Sequence, residues 1–186
     1  MSAFEKVPDT PFFLTDDDLR KMDTHNSEPS KELLGQFGDI IEGLTPEEVV
    51  FLLDDFFGAH AEFNASGRVE MLDESKQLVV RPAQVGPTWS EHQPKERLYF
   101  EARVRHIQFN DAKALNDANL RYAGVKVYCN NASELCIGSL IDMQFGITVE
   151  NLVEQVRNFI LEADALAFDL LGERNELKKP LAVAVQ

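Results

Sequence analysis

Cysteine is nearly absent from this chain, with Cys129 and Cys136 alone among 186 residues. Two thiols make neither a disulfide framework nor a four-ligand zinc site. The four histidines, His25, His60, His92 and His106, never stand three or four apart, so the sequence carries no helical metal pair. Glycine-rich phosphate loops, nucleophile elbows and H-E-x-x-H are missing. The run Asp16-Asp17-Asp18 lacks the glycine turn and distal glutamate of a calcium loop. No apolar run approaches the roughly 20 residues that span a bilayer. The opening "MSAFEKVPDTPFFLTDDDLRKM" has no basic stretch ahead of an apolar one, so it does not read as a secretory signal. Without such a route, the N-A-S matches at Asn64 and Asn131 read as chance. Basic charge is short as well. Lys and Arg number 18 against 32 Asp and Glu, a net −14, and residues 1–60 hold 4 against 14. Such a surface repels phosphate backbones and anionic headgroups, which disfavours nucleic acid and membrane and leaves room for a basic partner. The expectation is a cytoplasmic protein with no cofactor, no metal and no enzymatic activity.

What is present is a pattern of helices and strands. Residues 1–44 read as an acidic N-terminal extension, with one short helix capped by Thr15 and glycines Gly35 and Gly38 that oppose a long one. "LTPEEVVFLLDDFFGAH" is a helix. Thr45 is its N-cap, Pro46 stands at N1, and Glu48 at N3 completes a capping box. Val49, Leu52, Leu53, Phe56 and Phe57 make its apolar stripe, and Gly58 a stop. "RVEML" and "QLVVRPA" are strands around a turn at "DESK". A Pro-flanked loop carrying Trp89 follows. "RLYFEARVRHIQF" is then a long strand. Leu98, Phe100, Ala102 and Val104 face the core, while Tyr99, Glu101, Arg103 and Arg105 face water. The parity shift to Ile107 and Phe109 predicts a bulge or strand end. "NDAKALNDANLRYAG" is a short helix closed by Gly124, with Asn119 placed to brace the junction to the next strand.

A second hairpin, "VKVYCNN" and "ELCIGSLIDMQF", puts Leu135, Ile137, Ile141, Met143 and Phe145 on one face. Its cysteines have opposite parity, so Cys129 points in and Cys136 out, which argues against a disulfide. The last helix runs from Thr148 to near Gly172, and Pro180 blocks continuation of the tail at 176–186. Helices and strands segregated in runs favour an antiparallel sheet with helices packed on it, an α+β fold.

The run "LNDANLRYAGVKVYCNNASELCIGSLIDMQFGITVENLVEQVRNFI" resembles the YbjN-domain family of bacterial proteins, labelled as sensory transduction regulators. The matching features are the Asn-bearing helix with Asn116 and Asn119, the hairpin, Gly146, the cap-like Thr148 and a long amphipathic last helix. Coverage is about residues 45–172. The resemblance implies an α-β-β-β-α-β-β-α fold like that of type III secretion chaperones, in a domain at 45–175. It also implies dimerisation, binding of protein segments through apolar patches and sheet edges, and regulatory roles in stress, motility or signalling. No catalytic residues come with it. The Trp89 loop and the N-terminal extension depart from the family pattern.

Two functions are set against each other. The first is a non-enzymatic regulatory or chaperone-like protein, a homodimer that binds a protein partner. The second is a small-molecule sensor or enzyme with a pocket under the Trp89 loop. The last helix favours the first. Val149, Leu152, Val153, Val156, Phe159, Ile160 and Ala163 make a stripe wider than a coiled-coil seam, suited to packing on a sheet. Its second half, "LAFDLLG", is the expected contact with a partner or second copy, through Phe168 and Leu171. Trp89 is the third candidate, a loop aromatic read either as a binding anchor or as a lid residue folded onto the sheet.

Overall fold

The computed structural model describes residues 38–57, 60–72, 76–83 and 89–177. The Thr15-capped helix, Gly35, the Phe56, Phe57 and His106 side chains, Gly58, turn residues 73–75, Pro87 and the tail with Pro180 lie outside the described residues. The elements in order are β1 (Ile40–Ile41), α1 (Pro46–Phe57), β2 (Ala61–Phe63), β3 (Val69–Leu72), β4 (Lys76–Pro82), β5 (Arg97–Gln108), α2 (Ala112–Arg121), β6 (Lys126–Cys129), β7 (Glu134–Asp142), β8 (Ile147–Thr148) and α3 (Val149–Leu177).

Six strands form one sheet in the order β2-β3-β4-β5-β7-β6, every pairing antiparallel. The chain is therefore α+β, with β1 and β8 as a separate two-stranded ribbon. Two pieces of this plan are absent from the sequence pattern: β2, too short for a period to register, and the ribbon. The ribbon and Leu44, fully buried and bridged to Lys95, draw residues ahead of Thr45 into the fold. Gly146 permits this closure. Its φ is +77°, and a Cβ there would stand 2.6 Å from the Ile40 Cγ2.

The capping box of α1 forms as expected. Thr45 N–H donates to the Glu48 carboxylate at 2.6 Å, and Glu48 N–H to the Thr45 hydroxyl at 3.3 Å. Val49, Leu52 and Leu53 are fully buried. In β5, Leu98, Phe100, Ala102 and Val104 all enter the core, and the Phe100 ring meets Phe159 of α3 at 6.1 Å. The register shifts between Val104 and Gln108, the bulge that lets Phe109 turn inward. Asp111 caps α2, accepting from Ala114 N–H at 3.0 Å.

Three sequence expectations are corrected. Phe145 does not continue the β7 face but is 93% exposed, because the strand ends at Asp142 and a turn resets the parity. Helix α2 ends at Arg121, with Tyr122 rather than Gly124 at its C-cap. Helix α3 runs through Gly172 to Leu177. A helical glycine costs about 1 kcal/mol, which does not stop a helix whose stripe of Leu166, Ala167, Leu170 and Leu171 is already buried.

Candidate functional site

The three helices and the main core share one face of the sheet. Core residues Leu78, Ala102, Ile137 and Val127 are register partners across four strands. The opposite face carries Gln77, Val79 and Arg81 of β4, Tyr99, Glu101 and Arg103 of β5, Cys136, Gly138 and Leu140 of β7, and Lys126 and Tyr128 of β6. Alternation alone assigns this face to water, but Glu101 is 4% exposed, and Val79 and Cys136 are fully buried outside the main core cluster.

The neighbours of Glu101 account for its burial. Tyr128 and the Nε of Arg103 both donate to its carboxylate. Arg81 approaches it to 4.0 Å and stacks on the Tyr99 ring at 4.7 Å from the centroid. Arg103 extends the network to Gln77 at 3.4 Å, and Gln77 reaches Glu70 at 3.2 Å. Tyr99 lies across the backbone of Gly138, where a Cβ would overlap its hydroxyl and ring.

Burial is the first influence on the titratable groups of this face. Burial, reinforced by Glu101, pushes the Tyr128 phenol far above its usual range, and burial raises Tyr99. For Arg103, burial pulls the guanidinium down, but its hydrogen bond and charge pairing with Glu101 raise it overall. The Cys136 thiol is pushed up to about 12, first by burial and then by the Glu101 charge. Both phenols and the thiol therefore keep their protons at neutral pH, and the Cys136 thiolate needed for nucleophilic attack is not populated. The two cysteines are free thiols, and Cys129 donates to the Phe109 carbonyl at 3.0 Å. Cys136 does project from the outer face, as parity predicts, yet it lies beneath its neighbours rather than in water.

Both sheet edges are capped by side chains from the helices. On β6, Asn119 accepts from Val127 N–H at 2.9 Å and donates to the Val127 carbonyl at 2.8 Å, mimicking one residue of a further strand. On β2, Asp54 of α1 accepts from Ala61 N–H at 2.8 Å. The edges expected to take an extended partner are thus blunted. Asn119→Ala is expected to cost about 1.5 kcal/mol, the loss of two backbone partners. It should also raise the tendency to self-associate, read by urea titration and light scattering.

The predicted contact residues separate. Trp89 is 2% exposed. Its ring packs edge-on to Phe63 at 6.1 Å, and its Nε1–H donates to the Gln93 carbonyl at 2.7 Å. Of its two readings, the packed one describes it. Leu171 is buried as part of the inward stripe of α3. Phe168 is 57% exposed, and Leu161 lies two turns earlier on the same side of the helix. Among the described residues no helix is long and apolar enough to cross a membrane.

Comparison with solved structures bears on this plan of sheet, helices and ribbon. YbjN of E. coli, described as a candidate transcription regulator, superposes with a TM-score of 0.55 at 11% identity, over 73% of this chain and 97% of that one. The fold is YbjN-like. A HopA1–SchA chaperone–effector complex matches more distantly, with a TM-score of 0.40 at 19% identity, over 61% of this chain and 88% of that one. No family model and no curated protein matches the chain. The YbjN-like fold fixes the arrangement of elements, and Asn119 and Gly146, singled out in the sequence, hold two of its junctions. Sequence reasoning missed the Glu101 network. Its only signal was a Glu-x-Arg pair in one strand, which period-2 patterning reads as solvated.

Proposed function

We propose that this chain is a non-enzymatic regulatory or chaperone-like protein that binds a protein partner and forms a homodimer. The outer surface of α3 around Phe168 serves as the contact, in a binding domain spanning 45–175. The observation that carries this reading is Phe168 itself. A phenylalanine 57% exposed, with Leu161 two turns earlier on the same side, stands on a helix whose other face is already buried in the core. Exposed aromatics of this kind anchor protein interfaces. Capped sheet edges direct a partner to a face rather than to strand addition. The YbjN-like fold supports a regulatory role by analogy, since the solved protein is described as a candidate regulator. The alternative, a ligand pocket beneath the Trp89 loop, loses support because the indole is used up in packing.

The test is sedimentation equilibrium of the full chain and of Phe168→Glu. A dimer for the parent chain and a dissociation constant raised at least tenfold by the substitution, with unchanged circular dichroism, is the expected result. A parent chain that stays monomeric, or a dimer that Phe168→Glu leaves intact, removes the homodimer contact. Pull-down from a bacterial lysate with both versions then reads the heteromeric contact separately. Equal recovery of the same partners by both removes Phe168 from that role too.

A further inference from the structure

The turn that joins β7 to the β1–β8 ribbon carries a side chain the fold does not use. Phe145 stands at its tip, inside the bond from Gly146 N–H to the Met143 carbonyl at 2.9 Å. At 93% exposure it is the barest large apolar side chain among the described residues. Turn tips favour Gly, Asn, Asp or Ser, which serve the turn itself. A phenylalanine here adds nothing to the core. Beside it lies Ile40 of β1, 71% exposed, with its Cγ2 over the backbone of Gly146. The two make an apolar knob at the ribbon end. Phe168 lies roughly 29 Å away from Val149 along α3, so this is a different surface from the one proposed above.

Carboxylates border this knob. Asp39 and Glu42 flank β1, Glu96 precedes β5, Asp142 ends β7 and Glu150 opens α3, all of them exposed. Backbone hydrogen bonds draw these segments together. Val149 N–H donates to the Asp39 carbonyl at 3.2 Å, and Met143 N–H to the Glu96 carbonyl at 2.7 Å. The cations of the same segments are Lys95 and Arg97, and Arg97 is engaged by Asp142 at 3.0 Å. The Glu150 carboxyl is held below its usual range, first by its own backbone N–H and then by that of Gly38, so its charge persists in mildly acidic solution.

That chemistry selects the occupant. A second copy of the ribbon end brings the same carboxylates and is repelled, as is an anionic membrane. Residues 1–37, with 8 Asp and Glu against 4 Lys and Arg, share the sign. Lys178, Lys179 and Leu181 have the matching character. However, α3 carries its end roughly 43 Å from the ribbon over its 29 residues, and residues 178–186 extend at most roughly 31 Å. We propose that the ribbon end binds a basic, apolar segment of a different protein, its apolar side chains on Phe145 and Ile40 and its lysines or arginines on Glu42, Glu96 and Glu150. This contact does not rest on the α3 surface and stands or falls independently of it.

The probe is a fluorescein-labelled peptide of alternating leucine and lysine, titrated with the full chain and followed by anisotropy. The expected result is saturable binding that Phe145→Ser weakens about tenfold. Glu42→Gln with Glu150→Gln, and added salt, weaken it as well. Leu120→Ser, which removes an exposed leucine from α2, changes it about twofold at most. Phe145→Ser keeps the parent's urea midpoint and sedimentation. Absence of binding overturns the proposal. So do equal losses from Phe145→Ser and Leu120→Ser, the mark of adsorption to an acidic chain, and equal binding of a peptide with glutamate in place of lysine. A lowered urea midpoint for Phe145→Ser places the ring in the fold and overturns it too. Self-association that Phe145→Ser abolishes assigns the knob to a second copy, through residues 178–186 if their removal does the same, and likewise overturns it.

Discussion

Glu101→Ala destabilises the folded chain by about 3 kcal/mol in urea titration at neutral pH, near the lower end for breaking a buried ion pair. The carboxylate is 4% exposed and accepts from Arg103 and Tyr128. Removing it leaves a half-buried guanidinium and a half-buried phenol without their acceptor. Arg103 and Arg81 keep part of their side chains in solvent, so water recovers a fraction of the loss. A double substitution separates the two contributions. Glu101→Leu with Arg103→Met removes both charges and fills the space with apolar atoms, and it is expected to recover most of the stability lost in Glu101→Ala. If Glu101→Ala unfolds at the parent midpoint, the carboxylate is solvated and the network has no structural weight.

Gly138→Val is the second large effect, about 3 kcal/mol at the upper end of the overpacking range. The ring of Tyr99 occupies the volume that any Cβ at this position would need. A valine drives the ring off the strand, and with it goes the stack with Arg81. The decisive measurement is compensation. Tyr99→Ser introduced into Gly138→Val frees the space, and the double variant should be more stable than Gly138→Val alone. Simple additivity of the two losses would place the cost in the strand's backbone rather than in the ring.

The helix α1 was legible in detail because its signal is local: Thr45, Pro46 and Glu48 act on one another within a single turn. The β5 alternation was equally legible for its inward residues, and the parity break after His106 announced the bulge. Glu101 was misread because alternation says which side a residue faces, not what else stands on that side. Its partner Tyr128 comes from β6, two strands away in the sheet and 27 residues on in sequence. Phe145 was misread for the reverse reason, a periodic pattern extended past the strand that carried it. Of the residues expected to make a contact, Phe168 does stand exposed, because an aromatic off the apolar stripe of a helix is visible from spacing alone. Leu171 continues the stripe, and its burial follows from the helix running on to Leu177. Trp89 needed tertiary information, since no spacing tells a loop aromatic that anchors a partner from one that folds onto Phe63.

The order of strands in the sheet also sets an order in time. From β2 to β5 each strand pairs with the one just before it, so this meander assembles from short-range hairpins. The partner on the far side of β5 is β7, which begins at Glu134, after α2 and β6 have been made. On a ribosome, β5 therefore emerges with one edge satisfied and the other open for the synthesis of some 26 further residues, a second or more at ordinary elongation rates. Arg97, Glu101, Arg103 and Arg105 punctuate that waiting edge with charge. The side chains that meet around Glu101 in the finished fold are, during synthesis, what keeps a long unpaired strand from finding the wrong neighbour.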